Sequence, residues 1–297
     1  MVGGVTGRPL IPLVELVKHY REFKSRRDGN GVLVPGPYRA QGARVQLAQS
    51  YIDNPEELAS KFFRSVKEFS SYENLAESLI GTKRTDPNDV TTIEQILSGP
   101  KAAAYLARTL PDRKLNIEGL GAYVYVDREI VPARTTAGKR ATMANRFDDE
   151  RKTRSTGAMK ADLLLRSLPD GRPAIGEVKV STAKGDDADP VYALVQALAL
   201  ASQLASTTQR SRLRRHYPGE NFAQEGPLDV LVFLFLIAES KGRKTHRATL
   251  ITLASELCTR LTEGLLRPHV ERVALVTVTP QQGRLYFTTR GTPPRAR

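Results

Sequence analysis

The segment Leu228–Ala238 (LDVLVFLFLIA) constrains this chain most, because Val230 to Ala238 is apolar without a break and rich in β-branched and aromatic residues. It falls well short of the roughly 20 apolar residues that cross a bilayer. It does not alternate, so it is not a strand with one face in water. A strand covered on both faces needs a layer on each side, which predicts an interior strand of a sheet in an α/β or α+β domain.

The rest of the chain supplies such layers. Asn54, Pro55 and Glu56-Glu57 read as a helix start, and Leu58, Phe62, Val66 and Phe69 follow at helical spacing. Shorter helices are expected at about Leu13–Phe23, Tyr72–Ile80 and Thr92–Leu97. Gly121–Ile130 reads as a half-buried strand. Ala161–Arg166 and Pro173–Val180 read as two further strands, joined through Pro169-Asp170-Gly171, a turn sequence. Pro190 opens a helix to about Ser206, a long helix is expected over Arg247–Leu266, and Val273–Thr279 with Arg284–Thr289 reads as a closing hairpin. The glycine- and proline-rich residues 1–53 are set apart as a basic N-terminal extension, and residues 54–297 as one domain with a mixed sheet flanked by helices.

Charge points to a partner. Lys plus Arg number 45 against 32 Asp plus Glu, a formal charge of +13. Such a field draws polyanions, and binding to nucleic acid gains from released counterions; a solvated basic surface is the plain alternative. The single cysteine, Cys258, forms no internal disulfide and is expected to be buried. The N-terminus has no secretory signal, so the expectation is a soluble, cytoplasmic protein without a membrane.

The chemistry gathers at Asp162 and Gly176-Glu177-Val178-Lys179. Side chains two apart in a strand share a face, so Glu177 and Lys179 point one way and Val178 the other. A hairpin turning near Asp170 returns Glu177 and Lys179 towards Asp162. Two carboxylates and an ammonium then converge on one edge of the sheet. One or two carboxylates suffice for Mg²⁺, which keeps several waters and takes substrate phosphate oxygens. A lysine beside them can orient or deprotonate a water or stabilise negative charge, the base role requiring a lowered pKa.

Lys160-Ala161-Asp162, then thirteen residues, then Gly176-Glu177-Val178-Lys179, resembles the signature of the PD-(D/E)xK restriction-endonuclease-like superfamily. The resemblance covers roughly Tyr72 to Ala238. It implies a restriction-endonuclease-like core and hydrolysis of nucleic-acid phosphodiesters, DNA before RNA, with Mg²⁺ or Mn²⁺. It further implies that Asp162 and Glu177 ligate the metal, with the backbone carbonyl of Val178 as a possible third donor. Lys179 positions or activates the water. Many members carry a glutamine on the following helix, often before a tyrosine; here Gln196 is that glutamine, and Tyr192 lies four residues before it rather than after. A Glu on an earlier helix completes the site in some members. Glu73, Glu77 and Glu118 are candidates, with Glu77 preferred as the third metal ligand. A homodimer stays open.

Other features carry less. Asp186, Asp187 and Asp189 precede the Pro190 helix and suit its N-terminus better than a metal loop. His19, His216, His246 and His269 have no ligand spacing. No Walker-type loop is present. The basic tracts Lys139–Arg154, Arg210–Arg215 and Lys241–Lys244 form a candidate backbone-binding track. Beside the nuclease stand two other classes: a nucleic-acid-binding or assembly module on the same fold without turnover, and an interaction protein with a non-nucleic partner.

Overall fold

A computed structural model describes residues 14–27, 33–35, 41–71, 114–130, 132, 159, 161–181, 189–236, 244–281 and 284–290. The expected helices at 72–80 and 92–97, with Glu73 and Glu77, lie outside these residues. So do Lys139–Arg154, Asp186, Asp187 and Lys241.

The elements run α1 (Glu15–Lys24), β1 (Ser25–Arg27), β2 (Leu33–Pro35), α2 (Gln41–Asp53), α3 (Pro55–Ser70), β3 (Lys114–Glu118), β4 (Gly121–Ile130), β5 (Ala161–Ser167) and β6 (Pro173–Ser181). Then come α4 (Pro190–Leu204), α5 (Thr207–His216), β7 (Leu228–Leu236), α6 (Lys244–Arg260), β8 (Val270–Gln281) and β9 (Arg284–Arg290). Strands β1 and β2 form a small hairpin of their own.

The mixed α/β arrangement expected from the sequence is present, with one correction. The seven strands β3 to β9 do not form an open sheet; they close into a barrel in sequence order. β6, β7 and β8 run parallel to one another, and the pairs β3–β4, β4–β5, β5–β6 and β8–β9 are antiparallel. Closure comes from β3 lying parallel to β9 through Ile117↔Phe287 and Glu118↔Thr288.

The reason lies in the two faces of β7. Val230, Val232 and Leu234 point to the helical layer, where they join Leu58, Phe62, Leu194, Leu198 and Leu257 in one core. Leu231, Phe233 and Phe235 point the other way and pack with Leu163, Leu165, Val178, Val276 and Phe287. Among the described residues no helix covers this second set; the sheet curls over and buries it on itself. An open sheet would leave those side chains in water at ~25 cal/mol for every Å² exposed. Gly176 permits the tight curl, since a Cβ there would stand 2.9 Å from Leu163 Cβ and 3.1 Å from Phe233 Cε2.

Helix α3 starts at Pro55, and Leu58, Phe62, Val66 and Phe69 are its buried stripe. The Asn54 side chain makes no capping bond; its carbonyl instead accepts from Glu57 N–H at 3.2 Å. Helices α1 and α2 belong to the sequence called the 1–53 extension. They nevertheless place Leu16, Val17, Ala48 and Tyr51 in the same core as α3 and α4. The long helix expected to reach Leu266 ends as a regular helix at Arg260; a wider turn over Leu261–Leu265 follows, with Gly264 at φ 101°. Among the described residues no helix is long and apolar enough to cross a membrane.

At the barrel end near the β5–β6 turn lies a buried polar group. Tyr123 donates its hydroxyl to Asp229 Oδ2 at 2.9 Å, and Arg172 Nε is 3.4 Å from the same oxygen. Burial pushes the Asp229 carboxyl up to about 6, although Arg172 and Tyr123 pull it back.

Candidate active site

The site forms where β5 and β6 part under the first turns of α4. The ladder between the two strands pairs Arg166 with Pro173 and ends at Leu163↔Gly176. One step further, Asp162 stands across from Glu177. Strand β6 continues along β7, where Glu177 pairs with Val232 and Lys179 with Leu234. Alternation sends Val178 into the barrel interior with Leu163. Glu177 and Lys179 therefore face the helices, as does Asp162, which shares the face of Leu164.

Each of these side chains has a defined setting. Asp162 Oδ2 accepts the backbone N–H of Val178 at 2.8 Å. The Glu177 side chain is 1 % exposed; Oε1 takes the Lys179 ammonium in a close ion pair, and Oε2 is buried with no hydrogen-bond donor to it among the described residues. Lys179 Nζ also reaches Gln196 Oε1 at 3.4 Å and lies 5.6 Å from the centre of the Tyr192 ring. Gln196 sits one turn after Tyr192 on α4, so both side chains present to the same end of β6.

The electrostatics follow from crowding two carboxylates in a dry place. Burial raises the Glu177 carboxyl well above its ordinary range, the Asp162 charge raises it further, and Lys179 opposes both. For Lys179, burial favours the neutral amine, but Glu177 and Asp162 outweigh it and the pKa is raised. Without a cation at the two carboxylates the lysine is thus held as an ammonium, which suits charge stabilisation and water orientation. The base role required a lowered value.

The helix that carries Gln196 is anchored firmly. Asp189 accepts Val191 N–H at 2.9 Å and Tyr192 N–H at 3.0 Å with one oxygen. Its other oxygen lies 3.0 Å from Arg44 Nη1 on α2. Asp189 is therefore a helix cap, as expected, and not a ligand.

The structure brings together Asp162, Glu177, Lys179 and Gln196. It does not bring Glu118 to them. That residue is exposed at the end of β3, beside the turn into β4, and β4 there pairs Tyr123 with the Ser167 end of β5, away from Asp162. The histidines do not assemble either. His19 is buried with Nε2 2.6 Å from the Tyr51 hydroxyl, and among the described residues no group of three or more His, Cys, Asp or Glu is placed to hold a metal ion. Cys258 is buried, with its thiol pushed up to about 12 by burial.

Tyr20 was missed by the sequence reading. It stacks on Tyr192 with ring centres 4.8 Å apart, and Lys179, Glu177 and Asp162 all act on its hydroxyl. The spacing of Leu16, Tyr20 and Phe23 identifies a helix face, but nothing local ties that face to a strand about 160 residues away.

A divalent cation fits this donor set. Glu177 Oε2 is a buried carboxylate oxygen with no donor among the described residues, beside a second carboxylate whose repulsion a cation would relieve. No protein-family model, no curated protein and no solved structure matches this chain, so the functional reading rests on the site itself.

Proposed function

We propose that this chain is a divalent-metal-dependent nuclease that hydrolyses nucleic-acid phosphodiester bonds, DNA foremost. The observation that carries the reading is the buried Oε2 of Glu177, to which no hydrogen-bond donor points among the described residues, beside Asp162 and Lys179. Asp162, Glu177 and the backbone carbonyl of Val178 would hold Mg²⁺ or Mn²⁺. When bound, the metal supplies Lewis acidity to the scissile phosphate. The Lys179 ammonium donates to oxygens on the same side of the sheet, where it can orient an attacking water and offset phosphate charge. Gln196 tethers Lys179 from the helix. Tyr192 and Tyr20 cover the site with stacked rings, and partial exclusion of water strengthens each of these interactions.

The net charge of +13 supports a polyanionic substrate. A binding or assembly module without turnover is the second reading. It is favoured by the absence, among the described residues, of a third acid at the site. The test is cleavage of duplex DNA by wild type and by Glu177→Gln, across a titration of Mg²⁺ and Mn²⁺ and with chelator. Cleavage that needs the metal and disappears in the variant supports the nuclease. Metal-independent DNA binding by both proteins, with no cleavage by either, supports the module.

A further inference from the structure

Away from the carboxylate site, the end of α5 and the loop after it border an open pocket of about 620 Å³ lined by Ser211, Arg214, Arg215, Tyr217, Asn221 and Phe222. We infer that this pocket binds a nucleotide phosphate, with the two arginines taking the anion. The inference stands apart from the cleavage reading, since it uses only the charge and shape of this pocket.

Three observations carry it. First, the charge of the lining has one sign. Among the described residues no carboxylate lines the pocket, and neither Arg214 nor Arg215 makes an ion pair there. The nearby acids are engaged or outside it. Asp127 accepts the Tyr217 hydroxyl at 2.7 Å, Asp229 accepts that of Tyr123, and Glu220 and Glu225 are not lining residues. Two guanidinium groups that line one pocket suit a phosphate, since each can grip it through paired N–H donors.

Second, the size and chemistry exceed what an inorganic anion needs. The volume lies within the 300–1,000 Å³ or so common for small-molecule sites. The edges of Tyr217 and Phe222, rings otherwise buried in the core with centres 6.3 Å apart, form its apolar floor, and the exposed Ser211 and Asn221 add neutral hydrogen-bonding groups. A planar base or sugar beside a phosphate matches that mixture.

Third, the walls are fixed in advance. Asn221 holds a left-handed conformation at φ 49°. Ala223 N–H donates to Gly171 O at 2.8 Å, which pins the loop to the β5–β6 turn. Gly171, at φ 69°, allows that approach, because a Cβ there would come within 2.7 Å of Asn221 O. The Tyr217–Asp127 bond ties the other wall to β4. A preformed site loses little affinity to ordering on binding.

The same chemistry has two sources, a free nucleotide or the backbone of a nucleic-acid strand. The experiment uses the full chain, without divalent metal, and measures binding of deoxyadenosine monophosphate and of a short labelled single-stranded DNA. The proteins are wild type, Arg214→Gln/Arg215→Gln, Ser211→Glu, and Arg260→Gln/Arg290→Gln as a control that removes the same charge elsewhere. All the altered positions are exposed, and unchanged thermal midpoints will confirm folding. The expected result is at least a ten-fold loss of affinity in both pocket variants and little in the control. For DNA, the slope of log affinity against log salt should also fall by roughly 1.5. Loss for both ligands assigns the pocket to free nucleotides, and loss for DNA alone assigns it to the strand. Pocket variants that bind both ligands no worse than the control overturn the inference.

Discussion

The Asp162 carboxylate accepts the backbone N–H of Val178 at 2.8 Å, at the point where the β5–β6 ladder has ended. This bond gives Asp162 two functions, holding the strand edge and presenting a charge to the site. Asp162→Asn keeps an acceptor oxygen and removes the charge. It should fold like wild type and lose cleavage by on the order of 100-fold or more. Asp162→Ala should lose cleavage equally and also unfold more easily, by about 1–3 kcal/mol for the stranded N–H. Chemical denaturation alongside a cleavage assay separates the two. Equal stability of the variants would remove the structural function.

Metal binding has a readout that needs no substrate. A cation that binds the folded site and not the unfolded chain stabilises by about 2.7 kcal/mol at one hundred times its dissociation constant. Mn²⁺ or Mg²⁺ should therefore raise the unfolding midpoint of wild type. It should do so much less for Asp162→Asn and Glu177→Gln. The same upward shift in all three would place the metal elsewhere.

Gly176 links the signature to the barrel. A methyl group there meets Leu163 Cβ at 2.9 Å and Phe233 Cε2 at 3.1 Å, both in the barrel interior. Gly176→Ala should cost about 1–3 kcal/mol through overpacking. It should also lower cleavage, because Glu177 is the next residue. A variant as stable as wild type would mean that the interior yields at this point.

Asp229 makes stability depend on pH. Its carboxyl stands at about 6 in the folded state against an ordinary 3.8. Between these values the folded protein holds more protons than the unfolded chain, so this contribution falls as pH rises. At ~1.36 kcal/mol per pH unit the gap amounts to on the order of 3 kcal/mol. Denaturation at pH 4 and pH 7 should show wild type losing that much relative to Asp229→Asn. A parallel pH response in both proteins would contradict the burial argument.

Much of the fold was legible because its signals are local. β7 was readable from an unbroken apolar run, α3 from a proline start and a stripe of Leu58, Phe62, Val66 and Phe69, and β5–β6 from a turn sequence between two short apolar segments. Closure was not legible. It depends on β3, whose five residues alternate Lys114, Leu115, Asn116, Ile117, Glu118 with only Leu115 and Ile117 buried. It also depends on β9, some 170 residues later. Helix α2 was missed for a related reason: QGARVQLAQSYID has no continuous apolar stripe and is held mainly through Ala48, Tyr51 and Ile52.

The site divides in the same way. Period-two alternation placed Glu177 and Lys179 on one face, and the hairpin placed Asp162 opposite them. The raised carboxyl of Glu177 and the Tyr20–Tyr192 stack depend on burial and on a distant helix, which spacing along the chain does not encode.

The proposed nuclease chemistry centres on Asp162, Glu177 and Lys179. Its most direct test is incubation of supercoiled plasmid, linear duplex, single-stranded DNA and RNA with Mg²⁺ or Mn²⁺, comparing wild type with Lys179→Gln. The glutamine keeps a donor towards Glu177 and removes the charge. Metal-dependent cleavage of at least one substrate by wild type, lost in a folded Lys179→Gln, is the predicted result. Cleavage that persists unchanged in the variant, or none by wild type on any of the four substrates, would contradict the account.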